Sequence, residues 1–327
     1  MPSVEHFDQW ILDRSVETPT RGASARIRFG ALRLIRRLRL AFSDSVVNYS
    51  LGKTPLRVPF SHELPFYRRM LPEYSDNLRR ITVHVQGKYS NLCVIDIGAN
   101  VGDSIALIRQ SSNAPVLAIE GDGLFFSLLA ENKAELHDVE LFHGFVGAQG
   151  DEASYLERKR GNARLARANS HDPILLHSLS EILKSHPRFA KAKLLKIDAE
   201  GFDARILSTE TNWLRIARPI VFFEYCPAMA GALGFATFSV FEKLQTAGYC
   251  AVFVYRNSGT WQAYVRIDDS DSLRRLDAEL RQNGGFCDVV AFHEEDIDLA
   301  NGAYAEEQTA ANKLDSNARL PATSRQV

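Results

Sequence analysis

The stretch Val94-Ile95-Asp96-Ile97-Gly98-Ala99-Asn100-Val101-Gly102-Asp103 restricts the fold of this chain more than any other. Four residues, mostly β-branched and apolar, predict a buried strand. A turn holding two glycines follows, and Asp103 opens the apolar-periodic segment Ile105-Ala106-Leu107-Ile108, which reads as a helix start. Gly98 permits a backbone conformation that a Cβ would forbid, and Gly102 permits close packing of helix on strand. Free N–H groups of the first helical turn then face whatever lies over the strand end. The spacing is Gly98-xxx-Gly102 and not G-x-G-x-x-G, with Asp96 and Asp103 on either side. Two carboxylates repel a pyrophosphate but suit a ligand with a cationic centre. S-adenosylmethionine, with its sulfonium, ammonium and ribose, is such a ligand, although a generic strand-to-helix turn uses the same residue types.

Around this unit the chain alternates. Val116–Glu120, Val139–Phe142, Lys193–Asp198, Ile220–Glu224 and Cys250–Tyr255 read as strands. Helices are predicted over Asp76–Val85, Phe125–Leu136, Phe238–Ala247 and Asp271–Gln282, and Leu175–Leu183 is apolar-periodic with Ser180 as its cap. Trp261–Val265 forms a hairpin partner, and Phe286–Phe292 gives the last strand. The alternation predicts an α/β fold: a Rossmann-like, doubly wound, mostly parallel seven-stranded sheet with helices on both faces and a helical N-terminal extension. Ligands of such sheets sit outside the carboxyl ends of the strands. Asp96, Glu120, Asp198 and Glu224 all fall at those ends.

Composition fits a folded domain, with 327 residues, 45% hydrophobic and 24% charged. The net charge of −1 gives no electrostatic case for nucleic acid. No apolar run approaches the roughly 18 residues of a membrane span, and the N-terminus lacks a signal-peptide apolar core. Cys93, Cys226, Cys250 and Cys287 are scattered in strand-like contexts without C-x-x-C. They read as reduced thiols of a cytoplasmic protein, not as disulfides or a zinc site.

Four regions are expected: a basic helical extension (1–50), a helical pre-domain cap (51–90), the main domain (91–300) and a disordered polar tail (301–327). In the extension, Ile27, Ala31, Leu34, Ile35, Leu38, Ala41 and Phe42 recur at helical spacing among seven arginines. The expected arrangement packs the apolar face on the main domain and leaves the arginines in solvent. Weak peripheral contact with an anionic membrane surface is the alternative. Substrate specificity is expected to reside in the pre-domain region, residues 150–170 and the segment after Glu224.

Asp96-Ile97-Gly98-Ala99-Asn100-Val101-Gly102-Asp103, followed by Lys196-Ile197-Asp198-Ala199-Glu200-Gly201, resembles the FkbM family of S-adenosylmethionine-dependent methyltransferases. The likeness covers about the middle half of the chain, from Cys93 to roughly Tyr255. It implies a Rossmann-like fold and O-methylation of a sugar, glycan intermediate or secondary metabolite. Candidate cofactor residues are Asp96, Gly98, Ala99, Asn100, Gly102 and Asp103, with Glu120, Gly121 and Asp122 at the next strand end. Glu120 follows the first glycine at about the 20-residue spacing of a ribose-binding carboxylate. The family usually has Phe-Glu-Pro where this chain has Ile119-Glu120-Gly121-Asp122. No acidic residue for adenine stands in Phe142–Val146, so adenine would rest on backbone or apolar packing there.

Methyl transfer to a hydroxyl needs a group to take or orient its proton. Asp198 is the first candidate, with Glu200 and Glu224 beside it; a helix-capping role for Asp198 is the bland alternative. Lys196 shares its side of the strand. The three carboxylates would also suit Mg²⁺, which carboxylate clustering alone supports only weakly. His143 is the one histidine near the expected pocket. Two other readings compete: a NAD-dependent Rossmann dehydrogenase, disfavoured by the missing G-x-G, and a non-catalytic S-adenosylmethionine-binding module.

Overall fold

The computed structural model describes residues 4–19, 22–147, 155–159, 162–166 and 174–319, with side chains left out at 155–166 and beyond 311. The N-terminal layer comprises α1 (Val4–Glu17), α2 (Ala23–Leu40), a hairpin of β1 (Val46–Leu51) and β2 (Thr54–Pro59), α3 (Leu64–Met70) and α4 (Asp76–Lys88). The alternating part then runs through β3 (Val94–Ile97), α5 (Asp103–Ile108), β4 (Val116–Glu120), α6 (Gly123–Leu136) and β5 (Val139–His143). Short strands follow: β6 (Phe145–Val146), β7 (Tyr155–Lys159), β8 (Asn162–Ala166) and β9 (Leu176–His177). Next come α7 (Leu179–Ser185), β10 (Leu194–Ile197), α8 (Asp203–Thr209), α9 (Thr211–Ala217) and β11 (Ile220–Tyr225). The chain continues through α10 (Pro227–Ala232), α11 (Ser239–Thr246), β12 (Tyr249–Arg256), β13 (Trp261–Arg266), α12 (Ser270–Asn283), β14 (Cys287–His293) and α13 (Ile297–Arg319).

The main sheet has eight strands, one more than expected, in the order β13-β12-β14-β11-β10-β3-β4-β5. From β11 to β5 every pairing is parallel; β14, β12 and β13 add antiparallel pairings at the other edge. The inner parallel strands β3, β4 and β10 are buried on both faces, as their continuous apolar runs require. Alternate residues divide between two cores: Val94, Val116 and Leu194 face the N-terminal layer, and Ile95, Leu117 and Leu195 face the opposite helices. Chain order reverses between β3 and β10, which opens a crevice at their carboxyl ends.

Four expectations need correction. The first 50 residues are not wholly helical, because Val46–Leu51 pairs with Thr54–Pro59, and Ile11, Val47 and Val58 join the same core as Val94. The cap of α7 is Ser178 and not Ser180: Ser178 accepts from the Glu181 N–H while the Glu181 side chain returns to the Ser178 N–H, a capping box. Ser180 sits inside the helix and bonds Glu210 at 2.6 Å. The tail expected to be disordered from Asn301 is helical as far as Arg319. Leu299, Ala300 and Ala303 enter the core, and buried Glu307 accepts from Arg80 at 2.9 Å, enough apolar and polar anchorage to order the segment.

The fourth correction concerns α2, which turns its faces the other way round. Ala25 and Arg36 are buried with Phe29 and Leu40 against the core, whereas Ile27, Leu34, Leu38 and Phe42 are 73, 58, 60 and 86% exposed. Arg36 explains the choice. Its guanidinium donates to the Phe60 carbonyl (3.0 Å), the His62 carbonyl (3.3 Å) and the Glu63 carboxylate (2.8 Å), and lies 4.3 Å from the Phe66 ring centroid. A planar cation with each of its three nitrogens hydrogen-bonded and an aromatic ring beneath it is well accommodated inside.

Candidate active site

A cavity of about 400 Å³ lies over the carboxyl ends of β3, β4, β10 and β11. The sequence-predicted residues Gly98, Asn100, Asp103, Glu120, Gly121, Asp198, Glu200 and Glu224 all line it. His62, Leu64, Tyr67, Tyr74 and Leu78 of the N-terminal layer close it from the side where the pre-domain region was expected.

The glycine turn has the conformation its residues predict. Gly98 (φ +75°) and Gly102 (φ +93°) are left-handed, and so is Asn100 (φ +49°), a residue type that tolerates this region. A Cβ on Gly98 would overlap the backbone carbonyl oxygen of Asp198, and one on Gly102 would press on Leu136 and Leu129 of α6. Asn132 ties the turn to the hairpin, donating to the Val101 (2.9 Å) and Arg57 (3.0 Å) carbonyls.

Four of the predicted residues, Asp96, Ala99, Gly102 and Asp122, stand behind the cavity wall. Asp96 is fully buried under the turn, where Ser104 donates to it and Lys196 pairs with it at 3.0 Å. Lys196 also donates to the Gly98 carbonyl (2.9 Å) and stands 4.0 Å from Asp198. Burial opposes its charge, but Asp96, Asp198 and Asp103 outweigh burial and hold the ammonium above its usual pKa. Asp122 is buried as the N-cap of α6, accepting from Leu124 (2.8 Å) and Phe125 (3.2 Å). Ala99 is buried inside the turn.

Glu120 faces the cavity differently. One oxygen accepts from the Asn100 N–H (2.8 Å) and the other from the Asp122 N–H (2.7 Å), which fixes the carboxylate in one posture. Burial raises its pKa to about 7 against the pull of those two bonds. Asp103 is likewise pushed up by burial, with His62 and Lys196 opposing. His62 accepts the Leu64 N–H at Nδ1 (3.2 Å), which leaves the ring proton on Nε2, 3.3 Å from Asn100 Oδ1. Burial keeps this imidazole below its usual pKa and therefore neutral.

Opposite the turn stands an acidic wall. The Asp198 side chain is half exposed in the cavity. Glu200 holds a left-handed φ of +49° before Gly201 at +95°. Glu224 is raised well above the usual carboxylate range by burial, then by Asp198, Asp203, Glu200 and Asp288. Asp288 enters from the start of β14, directly across the ladder from Glu224, and accepts from Asn77 at 2.7 Å. Burial raises Asp288 to about 7. Behind the wall, buried Asp203 accepts from the Ala199 N–H (3.2 Å) and the Glu224 N–H (3.3 Å), so one carboxylate joins the ends of β10 and β11. It too is raised to about 7, by burial first and by Asp198 second.

His62, Tyr74, Asp203 and Asp288 were not found by sequence reasoning. For Asp288 a signal existed, since an antiparallel strand brings its first residues to the carboxyl rim of its parallel neighbour. His143 stacks on Phe126 (4.4 Å) outside the cavity lining. The four cysteines are free thiols. Among the described residues no three His, Cys, Asp or Glu side chains converge as metal ligands. The expected specificity segment 150–170 falls outside the residues whose side chains are described.

Residues 96–250 match the family model described as the methyltransferase FkbM domain. No curated protein sequence matches the chain. Among solved structures, similar ones include methyltransferase FkbM from Methylobacillus flagellatus (12% identity, covering 78% of this chain and 57% of that one, TM-score 0.37). The O-methyltransferase from Bacillus cereus in complex with SAH is similar at 14% identity, 66% and 79% coverage and TM-score 0.36. Precorrin-6y C5,15-methyltransferase from Geobacter metallireducens is similar at 11% identity, 66% and 87% coverage and TM-score 0.34. The glycine turn and the Asp198–Gly201 loop both lie inside the matched residues, so the chain carries a methyltransferase FkbM domain over residues 96–250.

Proposed function

We propose that this methyltransferase takes S-adenosylmethionine as its methyl donor and methylates a hydroxyl group of a sugar, glycan intermediate or secondary metabolite. The observation that carries the reading is a single cavity that joins the Gly98 turn and Glu120 to a carboxylate, Asp198, half exposed on the neighbouring strand. S-adenosylmethionine supplies an electrophilic methyl group on a sulfonium when bound. The residues present fit it. Each Glu120 oxygen uses one lone pair on a backbone N–H and keeps another for a ribose hydroxyl. Gly121, Gly144, Phe145 and Val146 offer an adenine slot without a carboxylate. The bare Gly98 backbone and the acidic surroundings of Asp103 accept the cationic amino-acid end.

Asp198 orients the acceptor hydroxyl and takes its proton as the oxygen gains the methyl group. Glu224, which burial and its carboxylate neighbours hold well above the usual carboxylate range, lines the same space and helps hold the acceptor in place. Asp203 fixes the loop and the strand end that carry these two groups.

Calorimetry tests the cofactor: S-adenosylhomocysteine is expected to bind and NADH is not. Binding of NADH with no response to S-adenosylhomocysteine overturns the reading. A bound cofactor with no transfer to any member of a hydroxylated acceptor panel favours a non-catalytic module instead.

A further inference from the structure

The outward face of α2 is both apolar and basic. Ile27, Ala31, Leu34, Leu38 and Phe42 lie three or four residues apart and form one stripe, with every large member exposed. Helical geometry puts Arg28 on one flank of the stripe and Arg26, Arg33 and Arg37 on the other. Among the described residues no carboxylate pairs with Arg26, Arg28, Arg33 or Arg37, and the sequence holds no Asp or Glu from Thr18 to Ser43. The stripe is not a face waiting to fold inward. Arg36 on the opposite side is locked to Phe60, His62 and Glu63, and Arg39 pairs with buried Asp8 of α1 at 3.0 Å. Helix α1 adds an exposed stacked pair, Phe7 and Trp10.

We propose that α2 seats the protein on an anionic lipid surface, lying in the interface with its aliphatic stripe among the acyl chains and its arginines at the headgroups. Apolar residues flanked on both sides by unpaired cations match that boundary, where lipid phosphates meet hydrocarbon. A second copy of the chain fits poorly, because two such faces would bring unpaired arginines together without a carboxylate. The helix is not long and apolar enough to cross a bilayer, so the proposed contact is peripheral. Through Arg36 the same helix grips a segment whose His62 and Glu63 line the cavity, so the lipid-facing surface and the active site share a wall.

The test is sedimentation of the full-length protein with vesicles of phosphatidylcholine alone and with about 30 mol% phosphatidylglycerol added. Binding to the anionic vesicles, weakened by salt, is expected, with little on the neutral ones. The surface variant Leu34→Glu/Leu38→Glu should lower vesicle affinity by more than about tenfold, and Arg28→Gln/Arg37→Gln should reduce both affinity and salt dependence. Melting temperature and S-adenosylhomocysteine binding of both variants should match the parent, which separates failure of this proposal from failure of the cofactor assignment. No binding to anionic vesicles overturns the proposal, as does binding that the Leu34→Glu/Leu38→Glu variant retains. A dimer or a complex with an acidic protein that this variant dissolves, without vesicle binding, assigns the face to a protein partner and overturns it too.

Discussion

The two ends of the cavity use carboxylates in opposite ways. At the glycine-turn end each acid is held by nearby groups: Asp96 by Lys196 and Ser104, Asp122 by the first N–H groups of α6, and Glu120 by two backbone N–H groups. At the other end Asp198, Glu200, Glu224 and Asp288 share one space, and the neighbouring cation, Lys196, is already engaged with Asp96 and Gly98. The first end is preorganised, so its acids fix geometry. Burial raises acids at both ends, Asp103 and Glu120 as well as Glu224 and Asp288, but at the second end neighbouring carboxylates add to the rise of Glu224, which favours proton exchange there. A fixed posture suits holding a cofactor, and proton traffic suits the reacting hydroxyl.

The largest test of that division is Asp198→Asn, which keeps shape and removes charge. Turnover should fall by roughly 10²–10⁴, the usual share of a general base, while affinity for S-adenosylhomocysteine and the melting temperature stay close to those of the parent. Normal turnover would move the base to Glu200 or Glu224. An equal loss of stability would return Asp198 to a structural role.

Glu120→Ala probes the preorganised end and should show the reverse pattern. Losing charge-assisted hydrogen bonds worth roughly 1.5–3 kcal/mol weakens cofactor affinity about ten- to hundredfold. Calorimetry on a folded variant reads this directly, and unchanged affinity would remove Glu120 from the cofactor site.

The smallest effect is on stability against pH. Glu120, Asp203 and Asp288 have folded pKa values of about 7, above the ordinary carboxylate range of the unfolded chain. Between those limits the folded state binds more protons than the unfolded state, so their contribution is full only below the ordinary carboxylate range and is lost progressively as pH rises to about 7. The melting temperature of the unliganded protein should therefore drop between pH 5 and 8, by a few degrees in order of magnitude. Asp288→Asn, which can still accept from Asn77, should flatten that slope. A slope unchanged by this variant would mean that Asp288 ionises normally.

Legibility in the sequence follows the same division. Asp96 to Asp103, the ends of β4, β10 and β11, and the parallel half of the sheet were readable because strand, turn and helix start are contiguous and their glycines are obligatory. The acidic wall was only half readable. Asp198, Glu200 and Glu224 end predicted strands, but Asp288 reaches Glu224 through an antiparallel register, and His62 and Tyr74 arrive from a layer with no sequence signature. Helix α2 was misoriented for a different reason. Periodicity identifies an apolar face but does not say what covers it, and the inward alternative depended on carbonyls at Phe60 and His62 more than twenty residues away.

One feature of the turn governs how such a protein can change over time. Since the Gly98 backbone touches the carbonyl of Asp198, the loops after β3 and β10 fit together like key and lock. A residue inserted into either would shift the donor pocket and the acceptor floor relative to each other, and no compensating change elsewhere in the chain would restore both. Length variation in descendants of this sequence should therefore collect between β6 and β9, where a hairpin already interrupts the alternation, and leave the two interlocked loops the same size.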